Sequence, residues 1–386
     1  MSETYDVAVV GLGALGSAAA WQLSRRGVSV LGIEQFGLGH DRGASHDSSR
    51  ILRHSYHTPG YVRLTVEAYE DWADLEAAAG EAFVTVTGGL DLFPPGCATP
   101  RQNYTGSLDE VGITYELLDA DAVGKRWPQM RLDAETVALY QPRTAIVPAA
   151  RATAAMQRLA AASGARLLPD TPTTALRPVT GGVEVAAGGT RYSCGRVVVC
   201  ADAWTRALLT PLGLDLPLTV TEEQLTYFAP ERPQDFEPDR FPVWIWAGDP
   251  TFYGFPTYGE PTIKAAQDVG GPVVTAQERS GQTDAEILGR LASFMGRHLP
   301  GSGRPVRSRR CLYTLTPDRD FVLAPVPGAE QVVVGLGAGH GFKFAPTFGR
   351  RLADLALGAP AGDELAPFRL DRPALTDKAY APTWIV

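Results

Sequence analysis

An unbroken apolar run, Val7-Ala8-Val9-Val10, opens the chain. A run without polar alternation predicts a strand buried on both faces. Gly11-Leu12-Gly13-Ala14-Leu15-Gly16 follows, then Ser17-Ala18-Ala19-Ala20-Trp21-Gln22-Leu23, which predicts a helix ended by Gly27. Val28 to Ile33 predicts the next strand, with Glu34 at its tip. The apolar runs Val197-Val198-Val199 and Val332-Val333-Val334 predict further strands, and a helix is expected from about Pro346 to Leu357. Thr219 to Phe228 and Thr251 to Phe255 predict strands of a second, antiparallel sheet. Pro230 to Phe236 and Pro272 to Gln282 are expected as loops, and no internal repeat interrupts the pattern.

Strand, glycine loop, helix, second strand and acid together form a dinucleotide-binding fingerprint. Gly11, Gly13 and Gly16 let backbone N–H groups approach a pyrophosphate at a helix N-terminus, and Glu34 can accept hydrogen bonds from ribose hydroxyls. The fingerprint does not separate FAD from NAD. The next segment does more: Gly43-Ala44-Ser45-His46-Asp47-Ser48-Ser49-Arg50-Ile51-Leu52-Arg53-His54 is polar, basic and rich in small residues. Its composition alone favours a solvated loop. Its small residues also allow close approach to a flavin, while Arg50 and Arg53 can meet phosphate, carboxylate or a reduced-flavin anion.

Composition narrows the class. At 386 residues the chain has room for two domains. A net charge of −8 gives no reason to expect nucleic acid or an anionic membrane as partner. No stretch approaches the length of a membrane-spanning helix. The opening Met1-Ser2-Glu3-Thr4-Tyr5-Asp6 lacks a basic n-region, so no signal peptide is expected. Cys97, Cys194, Cys200 and Cys311 are scattered without a Cys-x-x-Cys pair, and no His-Glu-x-x-His is present. A reducing cytoplasm and no metal site are expected. Lysines are few (Lys125, Lys264, Lys343 and Lys378), which hints that a compact ammonium is retained for a purpose.

Several short motifs lie in register beyond the glycine loop. They are Ser45-His46-Asp47-Ser48-Ser49-Arg50, Lys125-Arg126-Trp127-Pro128, Ala201-Asp202-Ala203-Trp204, Tyr253-Gly254-Phe255-Pro256, Cys311-Leu312-Tyr313-Thr314, Gly339-His340-Gly341-Phe342-Lys343 and Asp371-Arg372-Pro373-Ala374-Leu375. In this order, over nearly its whole length, the chain resembles the monomeric sarcosine oxidase and N-methyltryptophan oxidase family, within the D-amino-acid-oxidase-like FAD enzymes. The resemblance implies an α/β fold: a Rossmann-type FAD-binding domain and a second domain whose antiparallel sheet roofs the flavin. Residues 1–87, 143–215 and 306–386 would form the FAD-binding domain, and 88–142 and 216–305 the substrate domain.

The resemblance also implies roles. Cys311 matches the cysteine that holds FAD covalently, and the neighbouring Arg309 and Arg310 are expected to favour its thiolate. Arg53 and Lys343 match the pair that grips the substrate carboxylate, with Tyr253 at the same site. His46 and Arg50 match groups against the flavin ring, and Lys264 the lysine that promotes reaction with oxygen; Ser45, Gly339 and Gly341 fall in cofactor-binding motifs. A fixed ammonium beside the ring stabilises the negative charge that develops there. The implied reaction moves a hydride equivalent from a CH–NH carbon of a secondary, N-methyl or cyclic amino acid onto flavin N5, giving an imine, with O2 reduced to H2O2, by a monomeric enzyme. The alternatives are a flavin dehydrogenase that passes electrons to a carrier, and a nucleotide-binding sensor without catalysis.

Where the chain departs from the family, the substrate comes into question. Asp268 stands where sarcosine-type enzymes carry a histidine, and Trp244 where a smaller methionine lines the pocket. Asp91, in an otherwise apolar strand, offers a further carboxylate; Asp91 and Asp268 read equally as solvated loop acids. Together they point to a substrate bulkier than sarcosine, with a nitrogen facing Asp268 and an aromatic group on Trp244. Asp202 replaces a glycine near the cofactor's adenosine side, without an evident reason.

Overall fold

The computed structural model describes residues 3–384; Met1 and Ser2, which open the segment read above for a leader, and Ile385 and Val386 lie outside them. The strand Thr4–Val10 sits inside a sheet, parallel to Val30–Ile33 on one side and to Thr190–Val199 on the other. Arg166–Leu168 extends the parallel ladder beyond Val30–Ile33. The far edge of Thr190–Val199 is shared: Val197–Val199 pair in parallel with Val332–Val334, and Thr190–Cys194 pair antiparallel with Gly182–Ala187.

Burial on both faces is literal. Val7 and Val9 enter one apolar cluster with Trp21, Phe348 and Leu352, while Ala8 and Val10 enter another with Leu31, Ile33 and Val199. Helices Ala14–Ser24, Ala149–Ala162 and Ala345–Ala356 cover the first face. The last lies within one residue of its expected bounds.

The second sheet runs in the order Arg304–Leu315, Thr219–Ala229, Ile263–Gln267, Phe252–Phe255, Val243–Trp246, Gly89–Phe93, Val137–Gln141 and Glu116–Leu118. It is antiparallel except where Val243–Trp246 runs parallel to Gly89–Phe93. Period-2 alternation divides its faces. Trp244, Phe252 and Ile263 pack with Leu291 and Met295 of the helix Ala285–His298 on one face, and Ile245, Tyr253 and Phe255 line a cavity on the other.

The polar segment after residue 43 is not the solvated loop its composition favours. His46, Ser49, Arg53, His54 and Ser55 are buried, and Arg50–Leu52 forms a short strand with Ala145–Val147 in a separate three-stranded sheet. Tertiary pairing overrides a local sequence that has little strand propensity.

Candidate active site

One cavity runs from the glycine loop to the inner face of the second sheet, and most of the expected site residues line it. At one end, Gly11 has φ +89°, and a β-carbon there would strike the Cys200 carbonyl oxygen; a β-carbon at Gly16 would strike that of Gly11. Only glycine permits this close folding of loop on helix. Glu34 Oε2 accepts the Leu12 N–H (2.8 Å) and Oε1 the Phe36 N–H (3.1 Å). Burial alone would raise this carboxyl, but hydrogen bonds from His40 and these N–H groups carry it below its ordinary value. Ser45 Oγ accepts the Ala14 N–H at the start of the helix (2.9 Å), and Gln157 Nε2 donates to the Leu12 carbonyl (2.9 Å). Gln157 also lines the cavity and escaped the sequence reading, because a glutamine within an alanine-rich helix carries no signal.

At the other end, Arg50 spends its guanidinium on the backbone, donating to the carbonyls of Ser49 (2.8 Å), Ala44 (2.7 Å) and His46 (2.9 Å). It braces the loop and still lines the cavity. His46, also lining it, is buried; burial, helped by Arg50, pushes its pKa down to about 4, so the ring is neutral. Its Nε2 has no partner among the described residues.

Lys264 is buried in the strand Ile263–Gln267 but does not itself line the cavity. Its Nζ donates to Asp47 Oδ2 (3.0 Å) and the Ser49 carbonyl (2.8 Å), 4.4 Å from the Phe255 ring centroid. Burial lowers its pKa to about 8, against the pull of Asp47. Asp47 itself is held at about 2, because Lys264 and the Tyr227 hydroxyl (2.5 Å) outweigh its burial. Asp47, and Tyr227 behind it, complete a buried hydrogen-bonded chain with Lys264 that the sequence did not single out.

Arg53 and Lys343 line the cavity as expected. Arg53 Nη1 donates to Asp91 Oδ1 (2.5 Å), so Asp91 is neither a solvated acid nor a cavity group. It is the buried counter-ion of Arg53, and burial pushes its carboxyl up against the pull of that guanidinium. Lys343 Nζ donates to the His340 carbonyl (2.8 Å), and no carboxylate pairs with it among the described residues. Burial, then the charges of Arg53 and Arg319, drive its pKa well below the ordinary lysine value. Gly339 and Gly341 line the cavity beside it, and Gly339 has φ +79°.

Three expectations need correction. Trp244 is 1% exposed and stacks on Phe294 (centroids 5.6 Å apart, planes at 24°), facing away from the cavity. Strand alternation gives its place at the wall to Ile245. Arg309 and Arg310 do not create a thiolate at Cys311: Arg309 is exposed and Arg310 is engaged with Gln224 and the Glu222 carbonyl. Burial pushes the Cys311 thiol up to about 12, and Arg50 and Lys264 only partly oppose it. Cys311 does not line the cavity, although Leu312, Tyr313 and Thr314 do. Asp268 lines the cavity but is no solvated acid: Arg319, another cavity residue, grips it through two hydrogen bonds of 2.7 and 2.8 Å.

Asp202 stands at φ +44° on the cavity wall, beside Thr314 of the strand that carries Cys311. Burial raises its carboxyl to about 6, and Oδ2 has no partner among the described residues. Also among the described residues, no group of three His, Cys, Asp or Glu could hold a metal ion, and no helix is long and apolar enough to cross a membrane.

A cleft that runs from a glycine loop to a group of buried cations is the site of a flavin-dependent oxidoreductase. Residues 6–355 match the family model described as FAD dependent oxidoreductase. The chain is 37% identical to the monomeric sarcosine oxidase of Streptomyces avermitilis, over 92% of this chain and 94% of that one. It is 30% identical to the N-methyl-L-tryptophan oxidase of Salmonella arizonae, over 95% and 99% respectively. Among solved structures, the open form of NikD, "an unusual amino acid oxidase essential for nikkomycin biosynthesis", superposes with a TM-score of 0.86 at 29% identity, over 95% of this chain and 98% of that one. The chain belongs to the FAD-dependent oxidoreductases, in the sarcosine oxidase and N-methyltryptophan oxidase family. The residues present fit FAD: Gly11 and Gly16 have no room for a β-carbon, Glu34 stands at the second strand's tip, and His46 Nε2 and Asp202 Oδ2 are buried at the cavity without partners among the described residues.

Proposed function

We propose that the protein oxidises the CH–NH bond of a secondary, N-methyl or cyclic amino acid to an imine, passing the electrons to O2 to give H2O2, with FAD held covalently through Cys311. The observation that carries the proposal is Lys343. A buried ammonium without a carboxylate partner, beside the guanidinium of Arg53, is costly unless an anion completes it. The carboxylate of an amino acid is that anion. Bound FAD supplies the acceptor for the hydride equivalent and the route for its electrons to oxygen.

The chain's own residues do the rest. Arg53 and Lys343 bind the carboxylate and thereby orient the carbon next to nitrogen. Asp268 offers an acceptor to the substrate's N–H, and Tyr253 and Ile245 wall the cavity. No general base is needed if the amine binds neutral. The buried ammonium of Lys264, steadied by Asp47, holds positive charge where negative charge develops on oxygen. With Trp244 turned away, the case for a substrate larger than sarcosine rests on Asp268 alone. The four free cysteines, three of them buried, suit a reducing compartment such as the cytoplasm.

Anaerobic bleaching of the visible flavin spectrum by a panel of secondary and cyclic amino acids, followed by aerobic peroxide assay, tests the reaction. If sarcosine turns over best and Asp268→Ala changes nothing, the assignment of Asp268 fails. Bleaching without peroxide indicates an electron carrier instead of O2. Colour retained in the acid-precipitated protein, and lost in Cys311→Ala, tests the covalent link.

A further inference from the structure

Asp268 lies just past the strand Ile263–Gln267, where the chain leaves the sheet through Val269 at φ +51°. Its N–H donates to the Thr251 carbonyl (2.9 Å), and the N–H groups of Gly270 and Gly271 both donate to the buried Glu223 Oε2 (2.9 and 3.0 Å). The backbone at Asp268 is therefore fixed from both sides. Its side chain is fixed as well, since Arg319 Nη1 donates to Oδ2 and Nη2 to Oδ1.

Arg319 is itself held. It has φ +60°, its N–H donates to the Thr316 carbonyl (3.1 Å), and its own carbonyl accepts from His340 Nε2 (3.0 Å). The last described residues close on the same turn. The Thr383 N–H donates to the Pro317 carbonyl (2.7 Å), Trp384 Nε1 to the Thr316 carbonyl (3.2 Å), and the Trp384 carbonyl accepts a second hydrogen bond from Arg319 Nη1 (3.0 Å). With its side chain 2% exposed, Arg319 is a buried cation in a cavity that already holds Arg53 and Lys343. Asp268 cancels that charge, and each of its oxygens keeps a lone pair for another donor.

We propose that Arg319 and Trp384 are positioning residues that form a clamp around Asp268 and, through it, select substrates that present an N–H to that wall. The inference rests on the amino-acid oxidation proposed above. A carboxylate whose two oxygens are fixed by a planar guanidinium fork has one orientation in the cavity. Arg319→Lys keeps the charge and loses the fork; Trp384→Ala removes the indole N–H that holds the Thr316 carbonyl at the base of the Arg319 turn.

The test uses the full-length holoenzyme and the variants Arg319→Lys, Trp384→Ala and Asp268→Asn, with the double variant Trp384→Ala/Asp268→Asn. For the best amino-acid substrate, Arg319→Lys and Trp384→Ala should each raise KM about tenfold, as the loss of one aligned hydrogen bond does. Their kcat should change less, and binding of propionate, which has a carboxylate and no nitrogen, should stay within about twofold because Arg53 and Lys343 hold it. In the Asp268→Asn background the Trp384→Ala effect on KM should vanish. An unchanged KM in both single variants, or an effect that persists without Asp268, overturns the clamp. Hydrogen exchange in the peptide around Thr383 and Trp384 gives a readout independent of turnover: Arg319→Lys should speed it, and unchanged exchange overturns the clamp. If no amino acid bleaches the wild-type flavin, the oxidase proposal fails, and the exchange result alone decides for or against the clamp.

Discussion

Lys264 and Asp47 form a charge pair whose members are both buried, and its balance should be visible in the reaction with oxygen. Because burial depresses Lys264 from 10.5 to about 8, its ammonium predominates at neutral pH and is lost as pH rises through that value. We expect flavin reoxidation, followed by stopped flow, to slow above about pH 8. Asp47 is the largest influence raising the Lys264 pKa, so Asp47→Asn should move this break to lower pH. Lys264→Met should cost about 10²–10³ in reoxidation rate while leaving anaerobic reduction by substrate largely intact. Neutral His46, at about 4, should add no break near pH 6.5. Single residues were the least legible level of the sequence. The motif around His46 contained Asp47, but nothing local tied it to a lysine 217 positions away. Trp244 was misplaced by one step of alternation, which flips a side chain to the other face of its sheet. Arg319 lies five residues past Thr314, where the matched motif ends, and its partner Asp268 lies in a different loop.

At the level of elements, the glycine loop and helix should behave as one unit. Gly16→Ala places a β-carbon against backbone, with no flexible side chain to yield, so the helix must shift. A loss of about 1–3 kcal/mol is expected, together with a colourless or weakly coloured protein, read by chemical denaturation and visible absorbance. Elements were legible wherever period and punctuation agreed: the first strand, its helix, the valine runs and the helix Ala345–Ala356 all emerged from the pattern. Arg50–Leu52 did not, because its strand character comes from pairing with Ala145–Val147. Nor does any local signal say that Arg304–Leu315, with Cys311, pairs along its length with Thr219–Ala229.

For the whole molecule, the notable quantity is charge inside the cavity, and the overall balance of −8 says nothing about it. Arg53, Lys343 and Arg319 converge on a buried space, with Asp91 and Asp268 set against two of the three. Asp91→Asn leaves Arg53 without its counter-ion and should cost about 3–5 kcal/mol of stability, measured by denaturation of the holoenzyme. The same variant removes a competitor for Arg53. Propionate should therefore bind it more tightly than it binds wild type, and should restore part of the lost melting temperature.

The glycine loop belongs to the first sheet and Cys311 to an edge strand of the second. With the covalent link proposed above, a cofactor cradled at one and bonded at the other acts as a mechanical strut between the two layers. Cys311→Ala would cut that strut without touching either core. The two layers should then uncouple under denaturant: the single steep transition of the strutted protein broadens, and the layer holding Cys311 loosens first.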